Sequence, residues 1–219
     1  MNLFRPVAAL LALALSVTLA TAASDKWQKD IDAFIAADAA KPPQPGGVVF
    51  VGSSSIRMWK TLADDFAGTH VVNRGFGGSQ LADSVHYFDQ LVRPHAPRTV
   101  VLYAGDNDLW SGKSPETVLA DFQAFCAKVH EAFPQARVAY IAIKPSPSRW
   151  KIREQMIRTN ELIAAECAQD PRRVFIDVFT PMLDADGQPR PEFYIKDMLH
   201  MNAAGYAVWT RAVAPVLKP

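Results

Sequence analysis

The stretch Val48-Val49-Phe50-Val51-Gly52-Ser53-Ser54-Ser55-Ile56 decides how the chain is read. Four consecutive apolar residues follow a loop dense in helix and strand breakers, Lys41-Pro42-Pro43-Gln44-Pro45-Gly46-Gly47. Such a short apolar run predicts a strand buried on both faces. The glycine and serines then pass the chain into a helical pattern. A serine at this kind of junction has an exposed hydroxyl beside unpaired amides of a helix N-terminus, where negative charge is stabilised. Serines also cap helices for purely structural reasons, so the junction alone supports either role.

Outward from this strand the same alternation repeats. Apolar runs over residues 48–51, 71–72, 99–103, 138–143 and 174–176 predict five buried strands. Amphipathic stretches over about residues 56–66, 80–92, 115–133, 149–168 and 203–216 predict helices between and after them, and an opening helix is expected over about residues 24–39. Ser114 before Pro115 and Asn202 before the terminal helix are N-cap signals. Strands alternating with helices imply an α/β fold, a three-layer α/β/α sandwich around a mainly parallel five-stranded sheet. In such sheets the functional residues gather in loops at the carboxyl ends of the strands.

The N-terminus has a different character. Arg5 precedes an apolar stretch over residues 7–20, which ends in Ala20-Thr21-Ala22. A positive charge, an apolar core and a small-residue cleavage site predict a secretory signal over residues 1–22. The apolar core is shorter than the ~20 residues a spanning helix needs, which disfavours the alternative of an uncleaved anchor. The mature protein is then expected in the periplasm or secreted, with no stable membrane insertion. Residues 23–45 are expected to form a helix and linker, and residues 46–219 a single domain.

The formal net charge is +1 with charges interspersed, and no basic run or basic-aromatic stripe suggests nucleic acid as a partner. Two cysteines, Cys126 and Cys167, lie too far apart for a C-x-x-C motif. They either pair in an oxidising compartment or remain buried thiols.

Three further strand ends carry polar or glycine-rich turns. Asn73-Arg74-Gly75-Phe76-Gly77-Gly78-Ser79 lets backbone approach a ligand closely, but lacks the Walker lysine and the third glycine of a dinucleotide fingerprint. Gly105-Asp106-Asn107-Asp108 places an amide that can donate to an oxyanion or, alternatively, form a turn. In Asp197-Met198-Leu199-His200 the carboxylate can fold back onto one imidazole nitrogen and leave the other free as a base. Metal binding is the rival role there, but no further ligand cluster accompanies the pair.

Taken together, in this order, the four blocks resemble those of the SGNH hydrolases, the GDSL-type esterase and lipase family, over nearly the whole mature chain. The resemblance implies a flavodoxin-like SGNH fold and a serine esterase that needs no cofactor or metal. It assigns Ser54 as nucleophile, Asp197 and His200 as the rest of a triad, and the backbone amides of Ser54 and Gly78 with the Asn107 side chain as oxyanion donors. Ser53 departs from the family's usual aspartate, which is not the triad acid, so activity is expected to survive. Ser55 is the neighbouring alternative, and spacing from Gly52 favours Ser54.

The second block looks most like the platelet-activating-factor acetylhydrolase-like branch, which implies short acyl groups. The substrate is expected to be a small-molecule or glycan ester. The alternatives are acyl transfer onto an envelope or extracellular glycan and a non-catalytic glycan-binding module. The loop over residues 143–150 and Trp110 either shape the substrate pocket or serve only as stiffened, packed connections.

Overall fold

The computed structural model describes residues 25–218. The expected signal segment over residues 1–22 lies outside them, as does Pro219.

Five strands, β1 (Val48–Gly52), β2 (Val71–Gly75), β3 (Thr99–Tyr103), β4 (Arg137–Ile141) and β5 (Arg173–Ile176), form one sheet in the order β2-β1-β3-β4-β5. Every pairing is parallel, from Val48 beside Val71 and Thr99 to Ile141 beside Ile176. The helices are α1 (Gln28–Ala40), α2 (Ser54–Arg57), α3 (Leu62–Asp65), α4 (Leu81–His86), α5 (Phe88–Leu91), α6 (Asp106–Trp110), α7 (Pro115–Ala132), α8 (Arg153–Cys167) and α9 (Ala203–Leu217).

Strand alternation sorts the apolar residues into two cores. Val49, Val51, Val100, Leu102, Val138 and Tyr140 pack beneath α1, α4, α5, α7 and α8. Val48, Phe50, Val101, Tyr103, Ala139 and Ile141 pack beneath α2, α3 and α9. The expected three-layer sandwich is therefore present, with both sheet faces covered. Burial on both faces is why the strands read as continuous apolar runs. The chain's direction of winding reverses between β1 and β3, which opens a crevice at their carboxyl ends.

Several expected elements differ in extent. The helix expected over residues 56–66 is two short helices, α2 and α3, because the chain between them turns Trp59 into an aromatic cluster with Phe50, Phe66, Tyr206 and Trp209. The indole Nε1–H donates to Asp65 Oδ2 at 2.6 Å, which holds the turn. The helix expected over residues 80–92 breaks between α4 and α5, where consecutive residues Tyr87 and Phe88 are both buried. The Tyr87 amide donates to the Asp83 carbonyl and the Leu91 amide to the Tyr87 carbonyl, each at 2.9 Å, so the chain turns between the two short helices without a gap in its hydrogen bonding. Strand β2 runs on to Gly75 through Asn73 and Arg74, whose polarity hid it; Arg74 is buried by an ion pair with Asp38. Strand β4 stops at Ile141, since the Asn160 side chain takes both the amide and the carbonyl of Ile143, at 2.8 and 3.0 Å.

Both cap signals hold. Ser114 Oγ accepts from the Thr117 amide at 3.1 Å, and Asn202 Oδ1 accepts from Ala204 and Gly205 at 2.9 and 3.2 Å. The two cysteines are buried free thiols, so the pairing alternative is not realised. Burial pushes both up to about 12, which keeps them protonated and unreactive at neutral pH.

Candidate active site

Ser54 is the first residue of α2, two positions beyond Gly52. Gly52 has φ +138°, and a Cβ there would lie 1.9 Å from the Tyr103 carbonyl oxygen, so only glycine permits this turn. The Ser53 amide then donates to that same carbonyl at 3.1 Å. The turn gives the three serines different environments. Ser53 and Ser55 are 1% and 2% exposed, while Ser54 is half-buried. Ser54 Oγ is 2.9 Å from His200 Nε2. The Ser55 carbonyl, by contrast, accepts from the Tyr206 hydroxyl of α9 at 2.9 Å.

His200 comes from the loop before α9. Met198 adopts a left-handed conformation, φ +55°, which folds Asp197 back over the following residues. Asp197 Oδ1 accepts from the amides of Leu199 and His200, each at 2.9 Å, and Oδ2 meets His200 Nδ1 at 2.6 Å. Burial pushes the Asp197 carboxyl up, but these hydrogen bonds outweigh it and hold the group down at about 2. An ionised carboxylate at Nδ1 keeps the proton on that nitrogen, so the Nε2 lone pair faces Ser54. Asn202 anchors the loop by donating to the carbonyls of Glu192 and Tyr194 at 2.8 and 3.2 Å while it caps α9.

The two glycine-bearing turns close the other side. Gly75 lies against the end of α2, where a Cβ would sit 2.2 Å from the Arg57 amide nitrogen. Trp27 Nε1 donates to the Gly77 carbonyl at 2.9 Å, and Gly78 has φ +76°. The peptide there is thus oriented by its neighbours. Asn107, in the first turn of α6, donates through Nδ2 to the Ser79 carbonyl at 2.9 Å and accepts at Oδ1 from Arg149 Nη2 at 2.9 Å. One hydrogen of its amide group remains unassigned.

Ser54, Gly78, Asn107 and His200 all line one open cavity of about 400 Å3. The backbone amides of Ser54 and Gly78 donate to no partner among the described residues. A base beside a hydroxyl, with three unspent N–H donors around the same cavity, is an arrangement suited to attack on a carbonyl carbon and to holding the oxyanion that results.

The GDSL-like lipase/acylhydrolase family model matches residues 20–208. The chain belongs to that family. It is an acylhydrolase, an enzyme that hydrolyses ester bonds. The platelet-activating factor acetylhydrolase IB subunit alpha1 of Pongo abelii is 30% identical over 201 residues, covering 88% of this chain and 83% of that protein. Among solved structures, a GDSL-like lipase from Bacteroides thetaiotaomicron superposes with a TM-score of 0.72 at 20% identity, covering 86% of this chain and 97% of the other. An acetylxylan esterase from Geobacillus stearothermophilus, in a catalytic-mutant form, superposes with a TM-score of 0.67 at 14% identity, covering 81% and 96%. At these identities the likeness is one of fold.

Around this candidate site stand residues that pattern reading of the sequence did not find. Arg57 and Asp30 line the cavity, and they also line an adjoining one of about 430 Å3. Beneath Asn107, Asp106 Oδ2 pairs with Lys144 Nζ at 3.3 Å and with Arg149 Nη1 at 3.2 Å. The loop over residues 143–150 therefore does reach the site, but through Arg149. Trp150 instead stacks on Phe179 and donates to Gln188 Oε1 at 2.9 Å, and Trp110 lies under Arg149 and Lys151; neither indole lines the cavity. A lone arginine in a proline-rich loop carries no sequence signal for such a position.

Proposed function

We propose that this acylhydrolase is an exported serine esterase that removes short acyl groups, acetyl foremost, through Ser54, His200 and Asp197. The observation that carries the proposal is the unbroken line from Asp197 Oδ2 to His200 Nδ1 at 2.6 Å and from His200 Nε2 to Ser54 Oγ at 2.9 Å.

In the first step His200 takes the Ser54 proton as Oγ attacks the ester carbonyl carbon. The carbonyl oxygen becomes an oxyanion, stabilised by the Ser54 and Gly78 amides and the free Asn107 hydrogen. Asp197 holds the imidazole and balances the charge of the imidazolium that forms. The tetrahedral intermediate then collapses, the imidazolium gives its proton to the departing alcohol, and an acyl-Ser54 ester remains. Water attacks that ester with His200 again as base, which releases the acid and restores the serine. His200 retains partial exposure, so solvent water reaches the acyl-enzyme, and this favours hydrolysis over transfer to another alcohol.

The cavity wall supports a small acyl group. Its side chains are mostly charged or polar, with Leu199 the one large apolar side chain among those lining it in the described residues. A long acyl chain would leave its methylenes against polar groups and forgo about 0.8 kcal/mol for each one not buried. The activity of the 30% identical relative, an acetylhydrolase, agrees with acetyl removal. A series of p-nitrophenyl esters, run beside acetylated xylan, tests this. Acetate should exceed octanoate in kcat/KM by at least about tenfold, equivalent to about 1.4 kcal/mol. A maximum at octanoate or longer would overturn the short-acyl reading.

Export rests on the charge, apolar run and small residues of the N-terminus. Among the described residues no helix is long and apolar enough to cross a membrane. Intact-mass measurement of protein recovered from outside the cytoplasm should give a chain that begins after Ala22. A mass that includes Met1 would refute cleavage.

A further inference from the structure

We infer that Arg149 is a positioning residue for the ester-hydrolysing reaction: it fixes the Asn107 amide with a hydrogen aimed at the oxyanion and sets positive charge beneath that point. The inference rests on the proposed oxyanion role of Asn107.

An asparagine amide can occupy its site in two orientations that exchange oxygen and nitrogen. Here Arg149 Nη2 donates to Oδ1 at 2.9 Å, while Nδ2 donates to the Ser79 carbonyl at 2.9 Å. The reversed orientation would set NH2 against a guanidinium and a carbonyl against a carbonyl, losing both bonds. Only the observed orientation keeps both bonds and still leaves one N–H free, on a side chain that lines the cavity together with Ser54 and His200. Arg149 is itself tightly held. It is 9% exposed, its Nη1 pairs with Asp106 at 3.2 Å, and its guanidinium lies 5.4 Å from the centre of the Trp110 ring. The proline-led turn Pro147–Ile152 delivers it to this position.

The charges below Asn107 do not cancel locally. Lys144, 1% exposed, and Arg149 share the single carboxylate of Asp106, and Lys144 also donates to the Tyr103 hydroxyl at 3.1 Å. Burial pulls the Lys144 pKa down, against Asp106, which favours its charged form. Asp197 also favours charged Lys144, but from a distance, with no ion pair to it among the described residues. Uncompensated charge in a low-dielectric interior is costly. Negative charge forming on the ester oxygen above Asn107 relieves that cost only as the transition state is approached. Because the cluster is built into the fold, no reorganisation is required at that moment.

The experiment compares Arg149→Met, Arg149→Lys, Asn107→Ala and the double variant Arg149→Met/Asn107→Ala, on p-nitrophenyl acetate and with phenylboronic acid, which mimics the tetrahedral anion. Arg149→Met should lower kcat on the order of 10- to 100-fold, less than loss of the donor itself, with KM within about twofold. The phenylboronic acid Ki should rise alongside the loss in kcat, a change that general loosening of the fold would not produce in step. In the Asn107→Ala background the same change should cost less than about threefold, because the group it positions is gone. Arg149→Lys keeps charge but loses the two-pronged contact, so it should lie between Arg149→Met and the parent. If Arg149→Met does not fold, Arg149→Lys decides through the same split between kcat and KM.

A kcat within twofold of the parent, fully multiplicative losses in the double variant, or a rise in KM at constant kcat would overturn the inference. A parent protein that hydrolyses no ester, or that a serine-directed phosphonate does not label at Ser54, would overturn the functional reading itself, and this inference with it.

Discussion

Replacing Ser54 by alanine is expected to lower turnover by about 100,000- to 1,000,000-fold, the scale seen when a serine hydrolase loses its nucleophile. The acyl-enzyme route disappears completely, because His200 has no hydroxyl to deprotonate. What remains is the slow attack of water on an ester still held near the oxyanion donors. Stability should change little. Among the described residues the Ser54 hydroxyl makes a single hydrogen bond, to His200, in a half-exposed position, and such a bond contributes about 1 kcal/mol. Ser55→Ala is the matched control, since that residue is 2% exposed and its carbonyl, not its hydroxyl, bonds to Tyr206. Rates on p-nitrophenyl acetate, with phosphonate labelling and peptide mapping, distinguish the two. An active Ser54→Ala beside an inactive Ser55→Ala would move the nucleophile by one residue.

The second large effect is expected at Asn107. In the proposed oxyanion role its free amide hydrogen acts only as charge develops on the carbonyl oxygen, so Asn107→Ala should reduce kcat by about 100- to 1000-fold, or about 3 to 4 kcal/mol, with KM nearly unchanged. The same side chain also ties α6 to Ser79 and Arg149. Its removal should therefore cost some stability too, on the order of 1 to 3 kcal/mol, because two buried partners are left unmet. Thermal melting read beside kinetics separates the two contributions. If the variant melts earlier yet turns over at a near-normal rate, Asn107 is only a turn former.

The fold was legible because parallel strands buried on both faces become plain apolar runs, as at residues 48–51 and 99–103. The four blocks were legible because each is local: Gly52 to Ser54, Gly75 to Gly78, Gly105 to Asn107, and Asp197 to His200 each span only a few residues. What was not legible depended on contacts distant in sequence. The length of β2 follows from Asp38 neutralising Arg74 across 36 residues. Arg149 reaches Asn107 across 42 residues, and Lys144 reaches Asp106 across 38. No periodicity or spacing encodes such pairs. The aromatic residues Trp110 and Trp150, conspicuous in the sequence, lie off the cavity because the fold has other rings and cations for them to pack on.

The bond between Ser54 and His200 joins residues 146 positions apart, and the Tyr206 hydroxyl ties α9 to Ser55 across 151. On the proposed chemistry, a growing polypeptide carries its serine well before it has a base to activate it, which comes only when the loop holding His200 is made and α9 docks beside it. Hydrolytic competence therefore arrives only once Asp197 and His200 have been added and α9 has docked, and esters encountered by a form that ends before them are left intact.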